Sequence, residues 1–368
     1  MDSYARTKYL SVLFLCLSCC YALPPVTLSN NGRDLPTSNA QVHYNITNAE
    51  VDPPTIDEVS YVDFEPAFTF PSKKPNVCND CVCGLGRKTR IVGGNVTSVY
   101  DYPWLVSMSK KGTFYCAGSV ITRKHVLTAA HCLQGYVSSN YNRIFNFGIM
   151  LQHIYITKII FRFNIKTIKL VLMDSDRSSV NRNAIVRRIK SATIHENFHS
   201  YTFNNDIAII EMDEPVSVNG IVRTACLPEG KTIDYTGALA TAVGWGRTGE
   251  TKPVSNELRK VNLPILSQEE CDQAGYAKDR ITENMFCAGY ILHPEGAIGG
   301  RDACFGDSGG PLHVKGIYGQ LEVVGLVSWG RGCGRPHFPG IFTKLTNYIG
   351  WLKDHLDDEC ICPPPHRQ

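Results

Sequence analysis

The chain has 368 residues, 15 cysteines and 43% hydrophobic residues, with 37 Lys and Arg against 34 Asp and Glu. That length suits one large or two medium domains with a sizeable core. A formal charge of +3 gives no ground for a nucleic-acid binder, and so many cysteines exclude an ordinary reducing cytosol.

The first element is a leader. Arg6 and Lys8 precede an apolar run of 12 residues, Tyr9 to Cys20, too short for a stable membrane anchor. Small residues follow at Cys20 and Ala22, so residues 1–22 are expected to be a secretory signal peptide cut after Ala22. A signal anchor is the alternative. The cut removes Cys16, Cys19 and Cys20 and leaves twelve cysteines, an even number, as a fully paired secreted protein needs. The expected location is extracellular, with no membrane span.

Residues 23–76 hold eight prolines, and residues 23–70 carry seven acids and one base, Arg33. Such a stretch cannot bury enough apolar surface to offset its ordering entropy, and it is expected to be mostly disordered. Asn45-Ile46-Thr47 and Asn95-Val96-Thr97 are glycosylation sequons. Cys78, Cys81 and Cys83 follow, with Cys360 and Cys362 at the far end before three prolines. These could form a zinc site, but an oxidising compartment favours disulfides.

The middle of the chain reads as short strands separated by turn signals: residues 106–121, 241–246 and 321–330, with a helical stretch from Tyr348 to Leu356. Three strings among them carry chemistry: Thr128-Ala129-Ala130-His131-Cys132, Asn205-Asp206-Ile207-Ala208 and Gly306-Asp307-Ser308-Gly309-Gly310-Pro311. Singly, a His, Asp or Ser is usually structural. Together they supply an activated serine: a hydroxyl, a base to take its proton, and a carboxylate to fix the base's tautomer. Glycines beside the serine let backbone N–H groups face a developing oxyanion.

These strings, in the order His, Asp, Ser, resemble the chymotrypsin-like serine protease family in its trypsin-like branch. The resemblance covers residues 91–355. It implies an all-β fold of two antiparallel six-stranded barrels with a C-terminal helix. The expected domains are the signal peptide 1–22, a propeptide 23–90, a protease domain 91–356 and a Cys/Pro tail 357–368.

The resemblance also implies roles. Ser308 would be the nucleophile, His131 the general base and then acid, and Asp206 its orienter. The N–H groups of Gly306 and Ser308 would form the oxyanion hole. Arg90-Ile91-Val92-Gly93-Gly94 resembles a zymogen activation site, where a cut after Arg90 would free an Ile91 ammonium to pair with Asp307. Asp302 would be the floor of the specificity pocket, with Ser328, Trp329, Gly330 and Gly340 in its walls, selecting Arg or Lys. Ala303 stands where many relatives carry Ser, which predicts Arg over Lys. Phe305 replaces a more usual polar residue at the pocket mouth.

Disulfides Cys116–Cys132, Cys271–Cys287, Cys304–Cys333 and Cys83–Cys226 follow from the resemblance. Another family disulfide is missing, with Ala240 and Val314 in its places. Cys78 and Cys81 are left to pair with Cys360 and Cys362, with connectivity open. No cofactor is implied. Asp174 and Asp176 are too few carboxylates to assign calcium, so no metal is assigned. Partners would be protein substrates with Arg or Lys before the scissile bond, an activating trypsin-like protease and protein inhibitors. A catalytically impaired isoform or binding-only homologue is the alternative.

That alternative rests on residues 141–169. His131 and Asp206 are 75 residues apart, against roughly 45 in the family. In this stretch 21 of 29 residues are Phe, Tyr, Met, Ile, Asn or Lys, whose codons are AT-rich, with five bases and no acid. A retained intron or gene-model error is the leading reading; a true cationic surface loop is the other. The segment supplies +5 and the leader +1, so the remaining chain balances at −3.

Overall fold

The computed structural model describes residues 77–87, 96–134, 165–179, 181–230, 232–277, 279–291, 302–356 and 359–365. The signal peptide, the acidic Pro-rich stretch, both sequon asparagines, Arg90 to Gly94 and residues 135–164 lie outside the described residues.

Among the described residues, short apolar runs bounded by polar turns build twelve strands. The first six are β1 (Leu105–Lys110), β2 (Thr113–Val120), β3 (His125–Thr128), β4 (Ile168–Leu172), β5 (Ile185–Ile194) and β6 (Ala208–Met212). They close into an antiparallel barrel in the order β1-β2-β3-β6-β5-β4. Met108, Leu127, Ile168, Leu170 and Ile210 are fully buried in its cluster, each stabilising the fold by about 1.5–3 kcal/mol.

The second six are β7 (Leu239–Gly244), β8 (Arg259–Pro264), β9 (Met285–Ala288), β10 (Pro311–Lys315), β11 (Leu321–Trp329) and β12 (Gly340–Lys344). Their order is β8-β7-β10-β11-β12-β9. An Ile265–Ala288 bridge, with Leu266 N–H donating to Cys287 and Gly289 N–H to Pro264, joins the two ends of this sheet. This is the expected pair of six-stranded antiparallel barrels. Ala240 and Val314, in place of the missing disulfide, pack in one apolar cluster.

Helices are few. Helix α1 (Gln268–Asp272) starts on a capping box of Ser267 and Glu270, which satisfies two otherwise orphaned N–H groups. Helix α2 (Ile349–His355) follows a 3-10 turn, Leu345–Tyr348, and buries Ile349 and Leu352. It lies within the expected C-terminal helical stretch.

Two findings concern the ends of the protease region and the anomalous segment inside it. Cys78–Cys360, Cys81–Cys362 and Cys83–Cys226 are formed, so the zinc alternative has no free thiolates. Val77 pairs with Ile361 in a parallel bridge, and Cys83 N–H donates to Pro363. Residues 77–87 are thus sewn to the tail and to the catalytic unit. The Cys116–Cys132, Cys271–Cys287 and Cys304–Cys333 bridges are also present.

The second concerns the anomalous segment. Its last five residues are structural: Ile165–Thr167 make a 3-10 turn, and Ile168 opens β4 opposite Lys110 with no exposure. The break in composition at Lys169 therefore falls inside a strand, because Ile168 and Leu170 supply the alternation that the barrel wall requires.

Candidate active site

The site lies where the barrels meet, and hydrogen bonds across that seam set its geometry. Trp104 Nε1 donates to His313 Nε2 at 2.8 Å, and Ala117 N–H in β2 donates to the Ser308 carbonyl at 2.8 Å. Thr343 Oγ1 in β12 donates to the Asp206 carbonyl at 2.8 Å.

His131 sits in a 3-10 turn, Ala130–Cys132, just after β3. Cys116–Cys132 ties that turn to β2. Asp206 precedes β6 and is 1% exposed. Its loop reaches Asp206 through Asn205 at φ 58°, a left-handed conformation that Asn tolerates better than most residues. Tyr348 Oη donates to Asn205 Oδ1 at 2.9 Å. Thr282 Oγ1 donates to the neighbouring Asn204 Oδ1 at 2.9 Å. The second barrel thus holds the first barrel's acidic loop.

The Asp206 carboxylate is fully engaged. His131 Nδ1 lies 2.7 Å from Oδ2, and His131 N–H donates to Oδ1 at 2.9 Å. Ser328 Oγ donates to Oδ2 as well. Such an arrangement fixes the Nδ1–H tautomer and points Nε2 away as the free base. Cys132 Sγ lies 3.8 Å from His131 Nε2 and 3.6 Å from the Ser308 carbonyl, so the base and the serine flank one sulfur. Phe203 packs edge-on against the His131 ring at 5.6 Å.

Ser308 is carried on the loop between Cys304 and β10. Gly309 there has φ 74°, and a Cβ would come within 2.2 Å of Thr128 Oγ1 and 2.6 Å of the Ala117 carbonyl. Only glycine fits both the conformation and the space. Gly310 N–H donates to Asp307 and Gly309 N–H to Val327, which shapes the tight bend. Among the described residues no hydrogen bond engages the N–H of Gly306 or Ser308.

Asp307 turns away from Ser308. Gly246 N–H donates to its Oδ1 at 2.7 Å and Cys304 N–H to its Oδ2 at 3.0 Å. A Cβ on Gly246 would meet the carboxylate at 2.3 Å, so the loop before β8 is shaped around this group. Burial pushes the Asp307 carboxyl up to about 6, and the two N–H bonds pull against that rise.

Asp302 is the other raised acid. Gly334 N–H donates to its Oδ2 at 2.9 Å, while its buried Oδ1 has no partner among the described residues. Burial pushes it up to about 7. Gly340 lies against it, with room for no Cβ, since one would sit 2.9 Å from Oδ1. A cavity of about 170 Å³ touches both Asp302 and Asp307, along with Gly246, Cys304, Cys333 and Gly334. A buried carboxylate with an unpaired oxygen is a receptor for a cation.

Of the sequence-predicted residues, His131, Asp206 and Ser308 are brought together, and Gly306 lies beside Ser308 in the same loop. Asp302 and Gly340 meet. Ser328, expected in a pocket wall, turns its hydroxyl to Asp206. A Cβ on Gly330 would come within 4.0 Å of Gly340. Phe305 is 55% exposed, with the Arg247 guanidinium 5.7 Å from its ring centroid. Arg90 and Ile91 lie outside the described residues. Phe203 and Tyr276 were not singled out in sequence, because an aromatic residue reads as core until its neighbours are known. Tyr276 Oη donates to the Pro339 carbonyl at 2.8 Å and accepts from Arg331 N–H at 3.1 Å.

Comparison with known proteins agrees with this geometry. Residues 91–352 match the family model described as Trypsin. The chain is 32% identical over 277 residues to a clotting factor G beta subunit of Tachypleus tridentatus, covering 72% of this chain and 79% of the relative. It is 34% identical over 284 residues to a proclotting enzyme of the same organism, covering 75% and 69% respectively.

Proposed function

Because this chain belongs to the trypsin family of serine proteases, we propose that it is a secreted zymogen of an endopeptidase that cleaves after Arg, and less readily after Lys. The observation that carries this reading is the His131 Nδ1 contact of 2.7 Å to a buried Asp206, with Ser308 across the same disulfide.

In the proposed reaction the Ser308 hydroxyl attacks the scissile carbonyl carbon as His131 Nε2 takes its proton. Asp206 stabilises the imidazolium. The Gly306 and Ser308 N–H groups hold the oxyanion; losing one good donor of this kind costs about 3–4 kcal/mol in the barrier. His131 then returns the proton to the leaving amine, and water releases the acyl group by the same route. The substrate guanidinium meets Asp302, whose Oδ1 is the unpaired acceptor. Ala303 offers no hydroxyl for the shorter-reaching ammonium of lysine, which favours Arg.

Activation is proposed to be a cut after Arg90 by a trypsin-like protease, freeing the Ile91 ammonium to pair with Asp307. The Cys78, Cys81 and Cys83 bridges would keep the propeptide attached afterwards. Retention of that segment, together with relatives named for clotting, supports a place in a regulated extracellular cascade with protein inhibitors. The proposed domains are those expected from sequence, with the anomalous stretch limited to residues 141–164 because Ile168 belongs to β4.

Expression of residues 23–368, cut after Arg90 and assayed on arginyl and lysyl amides, tests this. Hydrolysis of arginyl amides supports it; activity toward neither overturns it. A second reading, a catalytically impaired product of a retained intron, rests on the composition of 141–169. Codons for that stretch in most spliced messages would remove it.

A further inference from the structure

Beside the site runs a ladder of four aromatic rings and two cations. The Arg280 guanidinium carbon lies 5.4 Å from the Tyr201 ring centroid and 5.1 Å from that of Trp329. Trp329 meets Tyr276 edge-on at 5.0 Å, and Tyr276 meets Phe338 edge-on at 5.2 Å. The Arg331 guanidinium closes the row, 4.7 Å from the Phe338 centroid. Tyr201 is 73% exposed, Arg331 is exposed and Arg280 half-buried. Among the described residues neither guanidinium forms an ion pair with a carboxylate.

The ladder borders the cleft at several points. Trp329 follows Ser328, which touches Asp206. Tyr201 lies two residues before Phe203, which packs on His131. Tyr276 bridges both walls of the Asp302 pocket, through Arg331 N–H and the Pro339 carbonyl. In the proposed binding mode, a substrate whose arginine fills that pocket lays its preceding residues along Trp329 and Gly330, where Arg280 stacks on Trp329 and Arg331 follows Gly330.

Stacking uses the face of a guanidinium and leaves its edge N–H groups outward. Those edges form a fork that matches a carboxylate. Both cations are pre-ordered by the rings, so little side-chain freedom is lost on binding. The rest of the protease is not basic: residues 91–356 without 141–169 sum to +1, so they balance at −1 once Arg280 and Arg331 are set aside. Two cations without a carboxylate partner among the described residues, held at one rim, are therefore a local feature rather than an average of the surface.

We propose that Arg280 and Arg331 make this a protease selective for acidic segments: substrates carrying Asp or Glu within the three residues before the scissile arginine. The proposal rests on the arginine-directed protease reading and names its substrate class more narrowly. A solvated pair at a cleft rim contributes modestly, so the expected preference is about three- to tenfold per acidic residue.

The test uses the full chain cut after Arg90, with the activating protease removed on a support. Four-residue arginyl amides carrying Asp, Asn or Lys at each of the three preceding positions are compared by kcat/KM. The expected result is Asp above Asn above Lys at one or more positions, expressed mainly in KM and shrinking as salt rises. Arg280→Gln or Arg331→Gln should bring the Asp/Lys ratio at the affected position towards one, and Arg280→Glu should invert it. Each ratio is taken within one variant, so a general loss of stability does not mimic the effect. Equal rates for Asp and Lys substrates, or ratios unmoved in all three variants, would overturn the proposal while leaving the arginine-directed reading intact. No cleavage of any arginyl amide would overturn both.

Discussion

Asp206 has its carboxylate engaged by His131 twice and by Ser328 once, whereas Asp307 and Asp302 rest on backbone N–H groups alone. The first acid belongs to the connection leading into β6 and is already paired with its base. The other two belong to the second barrel's loops, and burial raises them to about 6 and about 7. On the proposed reading, the difference separates finished machinery from sites built to receive a cation. A carboxyl raised above its unfolded value costs stability as pH climbs through the folded value, and an incoming ammonium or guanidinium offsets that cost. Activation and substrate binding would then use one principle at two neighbouring points of one cavity.

Substitutions can break this comparison, from the largest effect downward. Ser308→Ala should lower kcat by on the order of 10⁶-fold, with all six disulfides and the thermal midpoint preserved. Asp302→Ser should cut kcat/KM for arginyl amides by about 100- to 1,000-fold, since an incoming guanidinium would be buried without its partner. The Asp302 effect should also carry a pH signature: binding of arginyl ligands strengthens as pH rises through about 7, because only the ionised carboxyl attracts the cation. That pH limb should vanish in the Ser variant.

Ser328→Ala probes the finished half. It leaves a buried Asp206 oxygen with one donor fewer, a loss of about 1–3 kcal/mol. The expected outcome is a drop of about ten- to a hundredfold in kcat. An unchanged kcat would confine Ser328 to packing.

The smallest effect concerns the seam itself. His313 accepts from Trp104 Nε1 and contacts the Thr241 carbonyl through Nδ1, so burial of this neutral ring lowers its pKa to about 4 from 6.5. A depressed folded value means the stability is complete above the unfolded value. It is lost as pH falls from about 6.5 towards 4, by at most about 3 kcal/mol. His313→Gln should be less stable at neutral pH yet show a flatter decline in unfolding free energy over that window.

Much of this site was legible because the chemistry forces residue types into short strings. Ala-Ala-His-Cys places the base, a disulfide half and two buried alanines on one tight turn, and Gly-Asp-Ser-Gly-Gly admits the bend that only glycine permits. The Ser328 role was hidden, since a serine in a strand can face either side and register decides which. Pairing of Cys78 with Cys360 and Cys81 with Cys362 was hidden for a similar reason. Their separations of 282 and 281 residues say nothing until a parallel bridge at Val77 and Ile361 aligns them. The Arg280 ladder joins residues from three separate loops and the end of β11 and has no linear signature at all. Conversely, composition marked residues 141–169 as foreign, yet Ile168 is as deeply buried as Leu170. Codon bias and strand alternation are different signals, and here they overlap for two residues.

The central claim is that a finished His131–Asp206 pair waits on the second barrel's buried acids. The most direct measurement is arginyl amide hydrolysis by the full chain before and after a single cut following Arg90, with the product run on a gel without reductant. The account predicts that activity appears only with the cut, by at least about a hundredfold, and that the cut chain still migrates as one species because its bridges hold the propeptide. Equal activity before and after the cut, or a cut chain that remains inactive toward arginyl amides, would contradict it.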